Sequence, residues 1–313
     1  MRVIVTGGAG FLGQLVTKRL LNDGADHVTL VDLAAPRGSL AADPRIELRL
    51  GDLAETLTTL EPADLVVHLA AVVSSAAEDD FDLGMRVNID ATRGLLDRVR
   101  AWRTAPVVVF SSSLAVFGAD PHLPPPDVVA DDTLPRPQSS YGVQKLIGEH
   151  LVADYTRKGF LHGRSVRLMT VAVRPGAPNA AASSFVSGII REPLAGVESI
   201  CPVDPDLPII VSSPRATVDG ILAAAHADEA SWGSRTAMNL PGLTTTPREM
   251  AAALDRVAGT GTSGLIRWER DPGIEEIVAS WPARFAATRA ERLGLSSAAS
   301  FDDIVRTYLE DRG

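Results

Sequence analysis

The sequence predicts an α/β protein with a Rossmann doubly wound parallel sheet and a smaller α/β C-terminal region. Three observations support this fold class. The chain opens with a short apolar run, Val3–Val5, that leads into a glycine-rich turn. Short β-branched runs then alternate with helical patterns through the first two-thirds of the chain, which is typical of a parallel sheet with crossover helices. After about Pro175 the segments become shorter and this alternation changes.

The predicted strands of the first part are nearly continuous apolar runs, as expected when helices cover both faces of a sheet. They are Arg2–Thr6, His27–Asp32, Ile46–Leu50, Leu65–Ala70, Val107–Ser112 and Ser165–Val173. Three helical patterns lie between them, over Gly10–Asn22, Phe81–Ala101 and Ser139–Lys158. The proline-rich segment Gly118–Gln138 predicts an irregular loop that is long enough to shape a site.

The C-terminal part is predicted to combine short helices with brief strands. The helices cover Ser184–Ile190, Ala216–Ala227, Pro247–Val257, Pro282–Leu293 and Phe301–Leu309, and the strands cover Ile209–Val211 and Leu265–Trp268. We therefore expect a dinucleotide-binding Rossmann domain over residues 1–175 and a smaller substrate-binding region over residues 176–313. Some of the C-terminal chain is expected to return to the Rossmann domain.

The composition is that of an ordinary globular protein and argues against several classes of partner. A net charge of -9 would repel nucleic acid and anionic membranes, whereas a small anion held by one arginine is compatible with it. Cys201 is the single cysteine, so an internal disulfide is impossible and a cysteine-based zinc site is not expected. The absence of a long apolar segment predicts a cytoplasmic protein without a signal or an anchor.

A dinucleotide site is predicted where the first strand meets the first helix. Gly7, Gly10 and Gly13 permit a tight turn, a close approach of pyrophosphate and close packing of helix on strand. The phosphates would face the free N–H groups at the start of the helix, where Phe11 and Leu12 follow Gly10. A glycine triplet alone also occurs where only turn geometry is needed, so the interpretation depends on the acidic residue described next.

Asp32 ends the second strand, where a carboxylate binds the ribose hydroxyls of a dinucleotide. A carboxylate at this place repels a 2′-phosphate, so NAD is predicted in preference to NADP. Arg37 lies a few residues further and either reaches a phosphate or is simply solvated. Asp52 follows the third strand and would either hydrogen-bond the adenine amine or cap the next helix.

Tyr141 and Lys145 are four residues apart, so they lie on one face of the predicted helix. A phenol with a pKa near 10 is a poor base at neutral pH, but an adjacent ammonium and a positively charged nicotinamide ring favour the phenolate. Tyr141 would then take the proton from an alcohol while hydride leaves the same carbon, and Lys145 would also hold the nicotinamide ribose. The alternative is a surface tyrosine beside an unrelated lysine.

Serines close the fifth strand at the sheet edge where ligands of this fold bind. A serine there would hydrogen-bond the substrate oxygen and stabilise developing charge. Such serines also occur as capping or turn residues, which is the interpretation for Ser111.

These residues together resemble the extended short-chain dehydrogenase/reductase superfamily, the NAD-dependent epimerase/dehydratase family, over essentially the whole chain. The resemblance is carried by Gly7-x-x-Gly10-x-x-Gly13, Asp52, Leu69-Ala70-Ala71, Asn88, Phe110–Gly118 and Tyr141-x-x-x-Lys145. It implies that Ser113, Tyr141 and Lys145 form the catalytic triad, and that Asn88 braces the active-site helix instead of being a helix surface residue. The cofactor contacts implied by the match also include Leu53, Ala70 and Ala71. Dimers that form through the helices bearing Asn88 and Tyr141 are common in this family, so a homodimer is expected.

The chain departs from the nucleotide-sugar epimerases and dehydratases of this family at several positions. Phe117 stands where the epimerases usually have tyrosine, and Thr170 where they have a substrate-contacting asparagine. Their late-strand arginine for the nucleotide pyrophosphate falls at Ser212, and Leu114 occupies the place of the dehydratase acid. These differences favour a substrate without a nucleotide.

The downstream stretches Val173–Phe185, Ile190–Leu194, Ser213–Arg215 and Trp281–Phe285 resemble the D-erythronate dehydrogenases, which oxidise the C2 hydroxyl of a four-carbon sugar acid with NAD. The resemblance implies a small anionic sugar-acid substrate. A carboxylate is commonly bound by arginine, and Arg174, Arg191 and Arg215 are candidates, each of which is otherwise a surface or structural ion-pair residue.

Further hydroxyl and amide groups are candidates for binding the substrate hydroxyls. They are Asn179, Ser183 and Ser184, which are otherwise caps, and Ser74 and Ser75, which are otherwise loop residues. The six histidines lack metal-ligand spacing, and His68 is expected to be a satisfied core residue, so no metal is predicted. A nucleotide-sugar epimerase or dehydratase, or a non-catalytic NAD(H)-binding protein, are the alternative functions; the retained Ser113, Tyr141 and Lys145 argue against the last.

Overall fold

Twelve strands and thirteen helices are found in the part of the chain that the structure, a computed structural model, describes: residues 1–120, 122–123, 126–176 and 181–311. The strands are β1 Arg2–Thr6, β2 His27–Asp32, β3 Ile46–Leu50, β4 Leu65–His68, β5 Val107–Ser113, β6 His162–Leu168, β7 Thr170–Val171, β8 Ser199–Cys201, β9 Ile209–Ser212, β10 Met238–Asn239, β11 Leu243–Thr245 and β12 Ile266–Trp268. The helices are α1 Phe11–Asn22, α2 Leu53–Thr56, α3 Ser74–Asp79, α4 Phe81–Gly84, α5 Ala91–Trp102, α6 Ser140–Arg157, α7 Phe185–Arg191, α8 Pro214–His226, α9 Glu229–Trp232, α10 Pro247–Ala258, α11 Pro272–Ala279, α12 Thr288–Arg292 and α13 Phe301–Glu310.

The chain divides into two units, each assembled from three segments, whereas the sequence predicts one boundary near residue 175. The first unit comprises Met1–Ser113, Ser140–Arg167 and Val218–Met238, and the second comprises Leu114–Ser139, Leu168–Thr217 and Asn239–Gly313. No helix within the described ranges is both long and apolar enough to span a membrane.

The first unit contains a seven-stranded sheet in the order β3-β2-β1-β4-β5-β6-β10. The pairs from β3 to β5 are parallel, and β1 places Val3 beside both Val28 of β2 and Leu65 of β4. This is the strand order of the dinucleotide-binding fold, in which the ligand binds at the carboxyl ends of the strands. The predicted Rossmann fold is therefore confirmed.

Close packing fixes helix α6 on the sheet of the first unit. The apolar core of this unit joins β-branched strand residues to helix residues such as Leu95 and Val152, both nearly fully buried. Gly148 permits the approach, because a Cβ at this position would lie 2.4 Å from Cζ of Phe110 on β5. The helix that carries Tyr141 and Lys145 is thus held directly against β5.

The second unit contains two small sheets and its own apolar core. In one sheet β9 lies between β11, to which it is antiparallel, and β7, to which it is parallel. The other sheet is the parallel pair β8 and β12. The buried residues Ile189, Leu254 and Val305 join helices α7, α10 and α13 in this core.

Two predicted elements are wrong. The strand predicted over Ser165–Val173 is β6 in the sheet of the first unit followed by β7 in a sheet of the second. Met169, between them, is 3% exposed in a cluster with Leu114 and Ile210, so burial continues although the strand does not. The apolar residues continue past the end of β6, so the sequence does not show the point at which the chain leaves the first sheet.

The helix predicted over Pro282–Leu293 is also wrong, because only α12 at its end is helical. The preceding segment is irregular, and Phe285 forms a β-bridge with Val129. The prediction also missed the helices α2, α3, α9 and α11. Of these, α11 has clear start signals: the Asp271 side chain accepts hydrogen bonds from Gly273 N and Ile274 N, and Pro272 occupies the first turn.

The long helix predicted over Phe81–Ala101 is one helical run of three parts. It consists of α4, a π-helical turn over Met85–Asp90, and α5. The π-helical turn contains Asn88, and such turns often occur at functional sites.

Candidate active site

The glycine turn is built by close contact between main chains. Gly7 has a φ of +70°, and a Cβ there would lie 2.8 Å from the main-chain nitrogen of Ala70. A Cβ on Gly13 would lie 2.1 Å from the carbonyl oxygen of Gly7. Gly10 N donates to that same oxygen at 3.1 Å. Larger residues at Gly7 and Gly13 would therefore break the turn, so glycine is required there for geometry as well as for ligand approach.

The start of α1 presents main-chain donors without a side-chain cap. Gly10 is the N-cap residue, no side chain caps the helix, and the first turn contains no acidic residue. The N–H groups of the first turn, including those of Phe11 and Leu12, have no intrahelical acceptor four residues before them. An uncapped helix start next to a turn with no room for side chains suits an anionic pyrophosphate. The residues present therefore fit a bound dinucleotide.

Asp32 connects the glycine turn to the end of β2. Its Oδ2 accepts from Ala9 N at 2.9 Å, and its Oδ1 accepts from Leu33 N at 2.7 Å. Oδ1 also accepts from Ala34 N at 3.4 Å. A carboxylate has about four acceptor positions, so one is still available to a ribose hydroxyl. Two apolar residues beside Asp32, Leu33 and Leu50, were not predicted from the sequence. They are 77% and 55% exposed, and Leu50 is the register partner of Asp32 in the pairing of β2 with β3. Arg37 is exposed.

Asp52 and Leu53 have clear structural roles in the first unit. The Asp52 side chain accepts from Ala54 N at 2.8 Å and so caps α2, which is one of the two interpretations that the sequence left open. Leu53 buries its side chain in the apolar core, so only its main chain is available to a ligand. A contact of either residue with the adenine part of the cofactor stays a prediction.

Asn88 links the segment after β4 to the catalytic helix. Its Oδ1 accepts from Val72 N at 2.9 Å, and its Nδ2 donates to Val72 O at 3.0 Å and to Gln144 Oε1 at 2.7 Å. Gln144 directly precedes Lys145 on α6 and is 1% exposed. The amide of Asn88 therefore braces this helix from a buried position.

Ser74 and Ser75 are in the first turn of α3, where Ser74 is buried and Ser75 is half-buried.

Ser113, Tyr141 and Lys145 lie together in the first unit. Ser113 and Tyr141 are joined by a side-chain hydrogen bond. Lys145 Nζ donates to the Ser111 carbonyl oxygen at 2.7 Å, and it lies 5.7 Å from the centroid of the Tyr141 ring. The predicted turn or capping role for Ser111 is wrong, because Ser111 lies within β5, where its hydroxyl donates to His68 O and its carbonyl oxygen accepts from Lys145 Nζ.

Without cofactor, the pKa of Tyr141 differs from the prediction, because the nearby lysine is expected to lower it and the structure raises it. Burial raises the pKa of Tyr141 to about 12, and the hydrogen bond with Ser113 acts in the opposite direction. Burial lowers the pKa of Lys145 to about 7, which the Glu149 carboxylate opposes. The Lys145 ammonium donates to a main-chain carbonyl oxygen. Its presence alone does not offset the rise in the pKa of Tyr141 that burial causes.

Three side chains that sequence reasoning missed lie behind this triad. Glu149 Oε1 accepts from Ser112 Oγ at 2.5 Å and from Arg167 Nε at 2.9 Å, and its Oε2 accepts from Arg167 Nη2 at 2.8 Å. Glu149 and Arg167 are 5% and 3% exposed. The available signal was spacing, because Tyr141, Lys145 and Glu149 follow one another at intervals of four on α6.

The predicted carboxylate-binding arginines belong to the second unit and have different surroundings. Arg191 donates to the Arg174 carbonyl oxygen at 2.8 Å and pairs with Glu192. Burial lowers the pKa of Arg174, and the neighbouring positive charge of Arg191 lowers it further. Arg215 is exposed in the first turn of α8. Arg174 and Arg191 are thus partly buried beside each other, and Arg215 is the exposed one of the three.

The remaining substrate candidates lie before α7. Ser183 and Ser184 are half-buried in a short 3₁₀ turn, and the Ser184 side chain does not cap α7. Asn179 lies outside the described residues.

The structure shows a satisfied histidine and, among the described residues, no cluster of three potential metal ligands. His68 is 2% exposed, and its two ring nitrogens lie 2.6 Å from Thr6 Oγ1 and 2.9 Å from Thr92 Oγ1. The prediction that it is a satisfied core residue is confirmed. Burial lowers its pKa to about 3, with a contribution from Lys145, so it is neutral near pH 7.

The sheet order, the glycine turn and the Ser113–Tyr141–Lys145 arrangement define an NAD-binding short-chain dehydrogenase/reductase architecture. Residues 3–204 match the model of the NAD dependent epimerase/dehydratase family. The chain belongs to this family.

Proteins similar over the full length include two with the name D-erythronate dehydrogenase. The one from Cupriavidus necator is 49% identical over 100% of this chain and 99% of its own length. The one from Haemophilus influenzae is 41% identical over 99% of each chain.

Among solved structures, a nucleoside-diphosphate-sugar epimerase from Agrobacterium tumefaciens is similar with a TM-score of 0.92 and 39% identity, over 99% of this chain and 94% of the other. The L-threonine 3-dehydrogenase from Trypanosoma brucei shares the fold with a TM-score of 0.85 and 24% identity, over 99% of this chain and 96% of the other.

Proposed function

We propose that this chain is an NAD-dependent dehydrogenase that oxidises the C2 hydroxyl of D-erythronate to 2-oxo-D-erythronate. The observation that carries the proposal is the joined Ser113, Tyr141 and Lys145 group in the same unit as the glycine turn and Asp32. The choice of substrate is supported by the two full-length relatives named for this activity.

The residues of the triad have distinct roles in removing the alcohol proton. Bound NAD⁺ supplies the hydride acceptor, and its positive ring favours the phenolate form of a nearby tyrosine. Tyr141 Oη accepts the proton of the C2 hydroxyl. The Ser113 hydroxyl, held by Tyr141, hydrogen-bonds the reacting oxygen, and the fixed Lys145 ammonium stabilises negative charge on the phenol.

Arg174 is our proposal for the residue that binds the substrate carboxylate. Two guanidinium groups close together repel each other, and an arriving anion removes that repulsion. Arg191 is already engaged by the Arg174 carbonyl and by Glu192, so it supports Arg174. Arg215 is exposed and is the weaker candidate. For the substrate hydroxyls we propose Ser74, Ser75 and Ser184, with Asn179 as a further candidate.

A nucleotide-sugar epimerase is the second candidate function, because the similar Agrobacterium structure carries that name. The side chains of this chain give it less support. Ser212, where the epimerases place an arginine, is 5% exposed and its hydroxyl accepts from Thr217 Oγ1 at 3.3 Å, so this position supplies no cation to a pyrophosphate. Thr170 replaces the substrate-contacting asparagine.

The test is a screen for NADH formation with purified protein. D-erythronate, related aldonates and their stereoisomers form the test set, and UDP-sugars form the control set. We expect NAD reduction with D-erythronate and none with UDP-sugars. A non-catalytic binding protein would quench NADH fluorescence but reduce no NAD with any hydroxy acid, and epimerisation of a UDP-sugar would establish the second candidate.

We also propose a cytoplasmic homodimer that binds neither nucleic acid nor membranes. The first unit exposes 58% of Phe81 at the start of α4 and 43% of Val143 on α6, which are the kinds of residue that a subunit interface covers. The net charge of -9 supports the absence of nucleic-acid binding. Light scattering should give twice the 33.1 kDa chain mass, whereas a single-chain mass would contradict the dimer.

A further inference from the structure

Helix α6 and the end of β5 are joined by three successive contacts. Ser111, Ser112 and Ser113 are consecutive on β5, and their partners on α6 are Lys145, Glu149 and Tyr141. The first and last contacts involve residues of the proposed chemistry. The middle contact, Ser112 to Glu149, has no role in proton transfer, yet its 2.5 Å is shorter than the 2.7 Å between Lys145 Nζ and the Ser111 carbonyl oxygen.

The Glu149 carboxylate is held by a charge that also belongs to the sheet. Arg167 lies on β6, the neighbour of β5, and binds both oxygens of Glu149. Burying a charged pair costs desolvation energy, and the attraction between the two charges does little more than offset this cost. Stability alone is therefore a weak reason for the Glu149–Arg167 pair. Its geometry gives a stronger reason. A bidentate arginine fixes the carboxylate plane, and the fixed carboxylate then defines where the Ser112 hydroxyl must lie.

We propose that Glu149, held by Arg167, is a positioning residue that sets the end of β5 through Ser112, so that Ser113 meets Tyr141 and the Ser111 carbonyl meets Lys145. The register of β5 with β4 ends at Phe110, so Ser111, Ser112 and Ser113 lie beyond it. The proposal rests on the proposed dehydrogenase function for its kinetic consequence only.

Ser112→Ala tests this link most directly, because it removes one hydroxyl and leaves the Glu149–Arg167 pair intact. The matched control is Val152→Ala, which truncates a buried apolar side chain in the core of the first unit, three residues after Glu149 on α6, and removes no polar group. Both variants are expected to lower the melting temperature. Only Ser112→Ala is expected to disturb Tyr141.

The first readout is independent of turnover. The chain contains three tyrosines, so protein labelled with ¹³C at tyrosine Cζ gives three signals, and Tyr141→Phe identifies the one that belongs to Tyr141. The chemical shift of this carbon reports hydrogen bonding of the phenol. We expect Ser112→Ala to move the Tyr141 signal and Val152→Ala to leave it in place.

The second readout is kinetic and uses the NAD-loaded protein with D-erythronate. Loss of one positioning hydrogen bond is expected to lower kcat of Ser112→Ala about tenfold while KM changes less than about twofold. Val152→Ala should keep the wild-type kcat. An unmoved Tyr141 signal, an unchanged kcat, or equal losses in both variants would overturn the proposal. If the wild type oxidises no D-erythronate, the proposed function fails, and the Tyr141 signal alone decides the positioning role.

Discussion

The two units treat buried arginine charge in opposite ways. In the first unit Arg167 is paired with Glu149 through two hydrogen bonds, and both side chains are shielded from solvent. In the second unit the partly buried Arg174 lies beside Arg191, whose positive charge contributes to lowering its pKa. The guanidinium of Arg191 is engaged by Glu192 and by the Arg174 carbonyl oxygen.

We propose that Arg167 has a structural role and that Arg174 has a role in substrate recognition. A cation with a dedicated buried carboxylate gains little from an added anion, and its geometry is already fixed. A cation beside another cation is stabilised when an anion arrives. We therefore expect changes in the first unit to alter kcat or stability, and changes at Arg174 to alter KM.

The largest expected effect tests the proton transfer proposed for the first unit. Tyr141→Phe removes the proton acceptor and is expected to lower kcat about 10²- to 10⁴-fold, because general base catalysis contributes effects of that size. Affinity for NADH, measured by fluorescence quenching, should stay near wild type. Turnover like that of the wild type would exclude Tyr141 as the base.

The next effect concerns the paired arginine. Glu149→Gln leaves Arg167 buried without a counter-charge and is expected to lower the free energy of unfolding by about 3–5 kcal/mol, measured by urea denaturation. The double variant Glu149→Gln/Arg167→Met should recover part of this loss. Asp154→Asn, which breaks the exposed pair with Arg157 on the same helix, should cost less than about 1 kcal/mol. Equal losses for the buried and the exposed pair would contradict the role assigned to Arg167.

The smallest of the three effects concerns the recognition side. Arg174→Ala is expected to raise KM for D-erythronate about 10- to 100-fold through loss of charge-assisted hydrogen bonds, with little change in kcat. Arg191→Ala should give a weaker effect of the same kind, since Arg191 supports Arg174. Arg215→Ala is the control, because this exposed residue should leave KM unchanged. A large rise in KM for Arg215→Ala alone would reverse the assignment.

Local spacing explains what could be predicted from the sequence. Gly13 is required by a contact within one turn, Gly7 adopts a positive φ, and Tyr141 and Lys145 share a helix face at an interval of four. The Rossmann fold follows from strands whose residues are nearly all apolar. Each of these features is set by neighbours close in the chain.

Non-local pairing explains what could not be predicted. The contacts of Ser112 with Glu149, 37 residues later, and of Glu149 with Arg167 on another strand depend on the packing of α6 on the sheet. Burial likewise raises the pKa of Tyr141 and lowers that of Lys145, and a spacing of four residues does not reveal burial. Among the arginines, only the structure distinguishes the exposed Arg215 from the partly buried Arg174.

Asp32 has a consequence for redesign of cofactor preference. Its carboxylate disfavours a 2′-phosphate and at the same time accepts from Ala9 N at 2.9 Å, which ties the glycine turn to β2. Replacement by alanine or glycine would remove the repulsion and the tie together, so the turn would loosen just where a new phosphate contact has to form. Asparagine sheds the charge but retains an oxygen for Ala9, and it is therefore the better starting point for an enzyme that accepts NADP.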